Sequence, residues 1–269
     1  MQSCDAWLPQ GIDALRRDIG AYAGGLAEYK ETCGTAQPEA SLAANAVAAL
    51  HVALLQGQFA AALEICHNFR IAQRHDKTAV YLQLLLPTIT ELGLDWSEDR
   101  VGFEQIAFAY SVMHNIIESL GRKNFFDNEH RKALRLGRVI VAVAPADTHD
   151  FGARILMEYL TLRGWDVTFI DGSNPNGITS ALQHQPVDAL ALSVSTDTAF
   201  VDLADMIAKW RETGLSQHMA IIVGGAAILS PRDQYSFLQA DYVGLSMDEV
   251  SEYLLTQVTR NRHGRWNLA

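Results

Sequence analysis

The spacing of apolar residues changes character once along the chain, near residue 138. From about residue 40 to 136 apolar side chains recur every three or four positions, the period of a helix with one buried face. Four helical stretches are predicted. Ala43–Gln56 is closed by Gly57, and Phe59–Arg70 sets Phe59, Leu63 and Cys66 on one face. Ala79–Leu92 carries Pro87 as a kink or break and ends at Gly93. A long run from Arg100 to Leu120 is opened by Glu98 or Asp99, with Val101, Ile106, Phe108, Val112, Ile116 and Ile117 as its apolar positions. Short turns between such stretches predict an antiparallel four-helix bundle. Beyond residue 138 short apolar runs suited to buried strands appear: Val139–Val143, Val167–Ile170, Ala189–Leu192, Ala220–Val223 and Tyr242–Gly244. Between and after them lie the helical stretches Ala153–Leu162, Ile178–Gln183, Phe200–Trp210, Pro231–Leu238 and Asp248–Gln257. Five alternating units predict an α/β fold, a flavodoxin-like doubly wound five-stranded parallel sheet with right-handed crossovers. The expected division is an N-terminal arm (1–38), a helical cap (39–121), a linker (122–137), the α/β domain (138–258) and a basic tail (259–269).

Composition narrows the function classes. Of 269 residues 49% are apolar and 19% charged, enough for two domains with sizeable cores. The formal net charge of -10 argues against a direct grip on nucleic acid, which needs clustered Lys and Arg. The one local basic patch, Arg131, Lys132, Arg135 and Arg138, reads as a solvated face. Cys4, Cys33 and Cys66 lie far apart with no Cys-x-x-Cys, so neither a disulfide framework nor a zinc site is expected, and a reducing cytoplasm fits. There is no basic-then-apolar leader pattern and no uninterrupted run of about 18 apolar residues.

Candidate chemistry gathers at the C-terminal ends of the strands. Asp147-Thr148-His149-Asp150-Phe151-Gly152 lies where the first strand hands over to a helix. An imidazole there, with a carboxylate two residues before it, suits a metal ligand held by an outer acceptor, and Gly152 permits close backbone approach. Asp171-Gly172-Ser173-Asn174-Pro175 follows the second strand, Ser193-Val194-Ser195-Thr196 the third and Gly224-Gly225 the fourth. Taken singly each is weak: a loop His is usually an ordinary loop residue, a Ser a turn or cap, a Gly pair a tight turn. No nucleophile elbow, P-loop or HExxH is found, so an enzyme with its own substrate site is the least supported class.

The ordered set Asp147-x-His149-x-x-Gly152, Ser193-x-Ser195 and Gly224-Gly225 resembles the signature of cobalamin-binding domains of the methionine synthase and methylmalonyl-CoA mutase type. It departs at Ser195, where Leu is usual. The resemblance implies that His149 is the lower axial ligand to cobalt, displacing the cofactor's own benzimidazole. It implies that Asp147 accepts a hydrogen bond from the imidazole nitrogen that does not bind metal. Ser193 would extend that relay or touch the nucleotide tail, Thr148, Asp150, Gly152 and Ser195 would line the site, and Gly224 and Gly225 would leave room for the base.

A helical cap before such a domain occurs in methionine synthases and in CarH-type light sensors, which carry a Trp followed about ten residues on by Glu-His. Here Ile106-Ala107 stands at that place. Trp96, Asp99 and Phe103 instead resemble the Trp-x-x-Asp-x-x-x-Phe of the AerR/PpaA group, cobalamin-binding antirepressors of photosynthesis genes in purple bacteria. That resemblance implies a light-responsive transcriptional regulator using adenosylcobalamin or another alkylcobalamin. Trp96 would contact the upper face of the corrin, with bundle core as its plain alternative. The implied partner is a DNA-binding transcriptional repressor or other regulatory protein, and oligomeric state stays open. Two alternatives remain: a corrinoid carrier for methyl transfer, and a sensor of another tetrapyrrole, haem or bilin, with His114 or His130 as ligand.

Overall fold

In a computed structural model of the chain, residues 38–128, 136–145, 147–172, 176–229 and 231–266 are described, the stretches 38–41, 122–128 and 258–266 by their backbone only. The expected arm, most of the basic patch, His130 and Ser173–Pro175 lie outside the described residues. The chain divides into two compact units, Met1–Ser119 and Leu120–Ala269.

The first unit is helical: α1 (Pro38–Leu55), α2 (Phe59–Ala72), α3 (Lys77–Ala79), a π-helical stretch (Val80–Leu85), α4 (Leu86–Ser97) and α5 (Phe103–Asn128). Gly57 closes α1 with a φ of 69°, a left-handed conformation that Gly adopts without a Cβ penalty. From Lys77 to Ser97 the path is one unbroken helix, longer than predicted. Pro87 lacks an N–H and its ring crowds the carbonyl four residues back; the wider π turn immediately before it relieves that crowding. The Thr88 and Thr90 hydroxyls donate to the carbonyls of Leu84 (2.7 Å) and Leu86 (2.9 Å). Gly93, predicted to end the helix, sits buried inside α4, where tertiary packing outweighs a cost of about 1 kcal/mol relative to Ala.

Two apolar faces keep most of the expected positions, Cys66 on α2 and Val101, Ile106, Val112, Ile116 and Ile117 at α5, and each turns one ring outward. On α2 the buried positions are Ala62, Cys66 and Phe69, and Phe59 is exposed. On α5 they are Ile106, Ala109, Val112, Met113, Ile116 and Ile117, with Phe108 exposed. In both helices a small Ala takes the contact position and the bulky ring beside it turns out. The long helix also runs past Gly121 to Asn128, so the linker expected at 122–137 is helical in its first part.

The second unit has β1 (Arg138–Val143), α6 (Phe151–Leu162), β2 (Asp166–Ile170), α7 (Gly177–His184), β3 (Ala189–Ser193), α8 (Ala199–Glu212), β4 (Ala220–Gly224), a 3-10 turn (Arg232–Leu238), β5 (Tyr242–Val243) and α9 (Met247–Trp266). All pairings are parallel, in the order β2-β1-β3-β4-β5. This is the predicted doubly wound sheet. β1 and β3 are buried from Val139 to Val143 and from Ala189 to Ser193, as strands covered on both faces must be. One core joins Ile140, Leu190, Leu192 and Val223 of the sheet to Leu203, Ile207 and Trp210 of α8. The stretch 231–238, expected as an α-helix, is a 3-10 turn, and α9 continues to Trp266, through the segment expected as a tail. The order in which strands are added reverses between β1 and β3, the switch point at whose C-terminal strand ends open α/β sheets place ligands. Among the described residues no helix is long and apolar enough to cross a membrane.

Candidate functional site

The loop after β1 lies at this switch point. Asp147 is buried, and its carboxylate gathers donors from two loops. The backbone N–H of His149 donates to Oδ1 (2.9 Å), and the ring Nδ1 of His149 lies 2.9 Å from the same oxygen. The backbone N–H of Ser195, after β3, donates to Oδ2 at 2.6 Å. The Ser195 hydroxyl reaches the His149 carbonyl at 3.5 Å. These hydrogen bonds hold the carboxylate in one orientation. With the Nδ1 proton directed at Asp147, the lone pair of the imidazole is on Nε2. The His149 side chain is 13% exposed, and its Nε2 is buried.

Thr148 is exposed, and Gly152 is the second residue of α6. Asp150, at the N-cap of α6, engages the Arg154 side chain at 2.6 Å, and that guanidinium lies 4.7 Å from the centre of the Phe169 ring. The carboxylate of Asp150 thus braces the first turn of the helix behind His149.

Ser193 is the last residue of β3, buried, in register with Val143 and Gly224. A contact to Asp147 comes from the Ser195 amide, two residues on. The two glycines after β4 lie close to the chain's own backbone. A Cβ on Gly225, whose φ is 118°, would stand 2.3 Å from the Val194 carbonyl oxygen, and one on Gly224 would stand 3.1 Å from that of Gly244. In that direction they permit close approach of the chain's own backbone. The β3 and β4 exits are stitched together there, Val194 N–H to Gly224 O at 2.8 Å and Ala227 N–H to Val194 O at 3.1 Å. The Tyr235 hydroxyl pins the following loop, donating to Ala227 O (3.0 Å) and accepting from Leu229 N–H (2.8 Å).

In the helical unit Trp96 is fully buried, its ring 6.0 Å from that of Phe103 at an angle of 57°. Phe103 is 55% exposed, so of the two rings in the motif it is the one that presents surface. Asp99, with a φ of 58°, forms the turn after α4. His114 lies on α5. Sequence reading missed a second imidazole–carboxylate pair, His51 Nε2 to Asp95 Oδ2 at 2.7 Å; Asp95 also takes the Arg100 Nε at 2.6 Å. The two pair members sit on different helices with no short-range spacing to reveal them.

Among the described residues no group of three or more His, Cys, Asp or Glu is placed to hold a metal ion. A single oriented imidazole fits instead a metal that arrives in its own macrocycle and needs one axial donor. Cobalamin is such a group, and the residues at the switch point fit it.

Residues 137–252 match the B12 binding domain family. A protein of Rhodobacter capsulatus named as an uncharacterized 20.5 kDa protein in the bchF-crtJ intergenic region is 22% identical over 153 residues, 57% of this chain and 78% of its own length. The monomethylamine corrinoid protein of Methanosarcina barkeri shares the fold with a TM-score of 0.64 at 18% identity, over 77% of this chain and 95% of its own. A cobalamin-binding protein of Desulfitobacterium hafniense matches 78% of the chain at a TM-score of 0.43 and 15% identity.

Proposed function

We propose that this cobalamin-binding protein is a light-responsive regulator that acts on a protein partner. The observation that carries the reading is the Asp147–His149–Ser195 arrangement at the β1/β3 switch point, inside the segment that matches the B12 binding domain family. His149 would hold cobalt through Nε2, Asp147 would fix the ring and its tautomer, and the Ser195 amide would fix Asp147. Bound as an alkylcobalamin, the cofactor would supply a cobalt–carbon bond that visible light breaks.

The regulatory part is supported by the Rhodobacter capsulatus relative, whose gene lies between bchF and crtJ, and by the resemblance of Trp96, Asp99 and Phe103 to the AerR/PpaA group. A net charge of -10 favours a DNA-binding protein over duplex DNA as the partner. The test is the absorption spectrum of the adenosylcobalamin complex before and after green light, with the oligomeric state and repressor affinity measured on the same samples. A spectral change that His149→Ala alters, accompanied by a change in association, is expected. A photostable complex with unchanged association would remove the proposal.

The second reading is a corrinoid carrier. It is supported by the fold shared with the Methanosarcina barkeri corrinoid protein over both the helical and the α/β parts. Methyl transfer to bound cob(I)alamin by an added methyltransferase, with no response to light, would favour it.

A further inference from the structure

We propose that Gly172, in the loop after β2, is a positioning residue for His149: its missing side chain sets where the imidazole loop after β1 comes to rest. This rests on the reading of His149 as the axial ligand. A Cβ at position 172 would lie 2.4 Å from the Asp147 carbonyl oxygen, 3.2 Å from that of Ala144 and 3.3 Å from Val143 Cγ1. The first contact is shorter than real Cβ atoms make, and it falls on backbone, so no side-chain rotation relieves it. Gly172 is not among the glycines with positive φ, so the demand at this position is for space, not for an unusual conformation.

The two sides of this contact differ in freedom. β2 is paired to β1 from Asp166 to Ile170, which ends two residues before Gly172. The Asp147 side is a loop whose orientation comes from hydrogen bonds: Asp147 N–H to Ala144 O at 3.1 Å, and the carboxylate to the Ser195 amide and to His149. A methyl at 172 therefore displaces the Asp147 peptide and rotates the carboxylate. Asp147 Oδ1 holds both the backbone and the ring of His149, so the imidazole follows. A metal–nitrogen bond tolerates little displacement, about 0.5 Å or less. The sequence offered no sign of this, because Gly172 and Asp147 meet only when β1 and β2 pair.

The test uses the full chain with histidine labelled by spin-half nitrogen, loaded with cobalamin and reduced to cob(II)alamin. Electron paramagnetic resonance then shows a doublet splitting if a protein histidine is the ligand, and a triplet if the cofactor's own base is. Wild type is expected to give the doublet and His149→Ala to lose it. Gly172→Ala is expected to keep the far-ultraviolet circular dichroism of wild type, to lose the doublet, and to bind cobalamin about tenfold more weakly or worse. A Gly172→Ala protein that keeps both doublet and affinity overturns the inference alone. So does one that fails to fold, because the effect is placed in the histidine loop. A wild type without the doublet overturns the ligand reading beneath it as well.

Discussion

Asp147 holds together two loops that are distant in sequence, and its removal should be felt in both stability and binding. Asp147→Ala leaves the buried Ser195 N–H and the His149 N–H without their acceptor. Each such loss costs about 1–3 kcal/mol, so urea unfolding should shift to lower denaturant. The imidazole also loses its orienting partner, and cobalamin affinity by equilibrium titration should fall about 10–100-fold. Unchanged affinity would mean that the carboxylate serves the loop alone. The pair Asp147 and His149 was legible because both side chains lie in one short motif. The Ser195 amide was not, because a backbone donor leaves no residue type to read. The backbone contact at Gly224 and Gly225 was not legible either, because sequence shows that a Cβ is missing but not what stands in its place. Trp96 was recognised as notable, yet a Trp and the Phe packed on it look alike in sequence, and only packing decides which shows a face.

At the scale of elements, the five strands were legible to within a residue or two because each is a short apolar run bounded by polar turns. Helix ends were not. Gly93 was read as a stop, but a glycine ends a helix only where the chain must turn left-handed, as Gly57 does. The 3-10 turn at Arg232–Leu238 was read as an α-helix because its apolar spacing, Tyr235 to Leu238, suits either period. Tyr235 closes the connection between β4 and that turn, and its hydroxyl is buried with one donor and one acceptor partner. Tyr235→Phe should therefore destabilise the α/β unit by about 1–3 kcal/mol, measured by chemical denaturation. The cobalamin spectrum should stay as in wild type, since the hydroxyl bonds only to the loop of Ala227 and Leu229. A changed spectrum would mean that this loop reaches the cofactor.

For the molecule as a whole, the apolar period changes near residue 138, whereas the chain divides into its two compact units at Ser119 and Leu120, within the long helix α5. The consequences for pH are less visible in sequence. Burial pushes the Cys66 thiol in α2 up to about 12 and raises the Tyr110 hydroxyl as well. An unfolded thiol titrates near 8.5. Below that value both states keep the proton, and between it and about 12 only the folded state does, so stability falls as pH rises across this window. Urea midpoints between pH 8 and 11 should decline, and more steeply in wild type than in Cys66→Ala; parallel slopes would mean that the thiol is open to solvent. At neutral pH the native Cys66 should resist alkylation by iodoacetamide until the helical unit is unfolded.

The grip of the Ser195 amide on Asp147 also equips the fold with an internal indicator. Its proton can exchange with solvent only when the exits of β1 and β3 part, and that parting releases the imidazole too. If a metal pulls on the far side of the ring, opening becomes rarer and the exchange of this one amide slows, so a proton that never touches the cofactor counts how often the axial bond lets go.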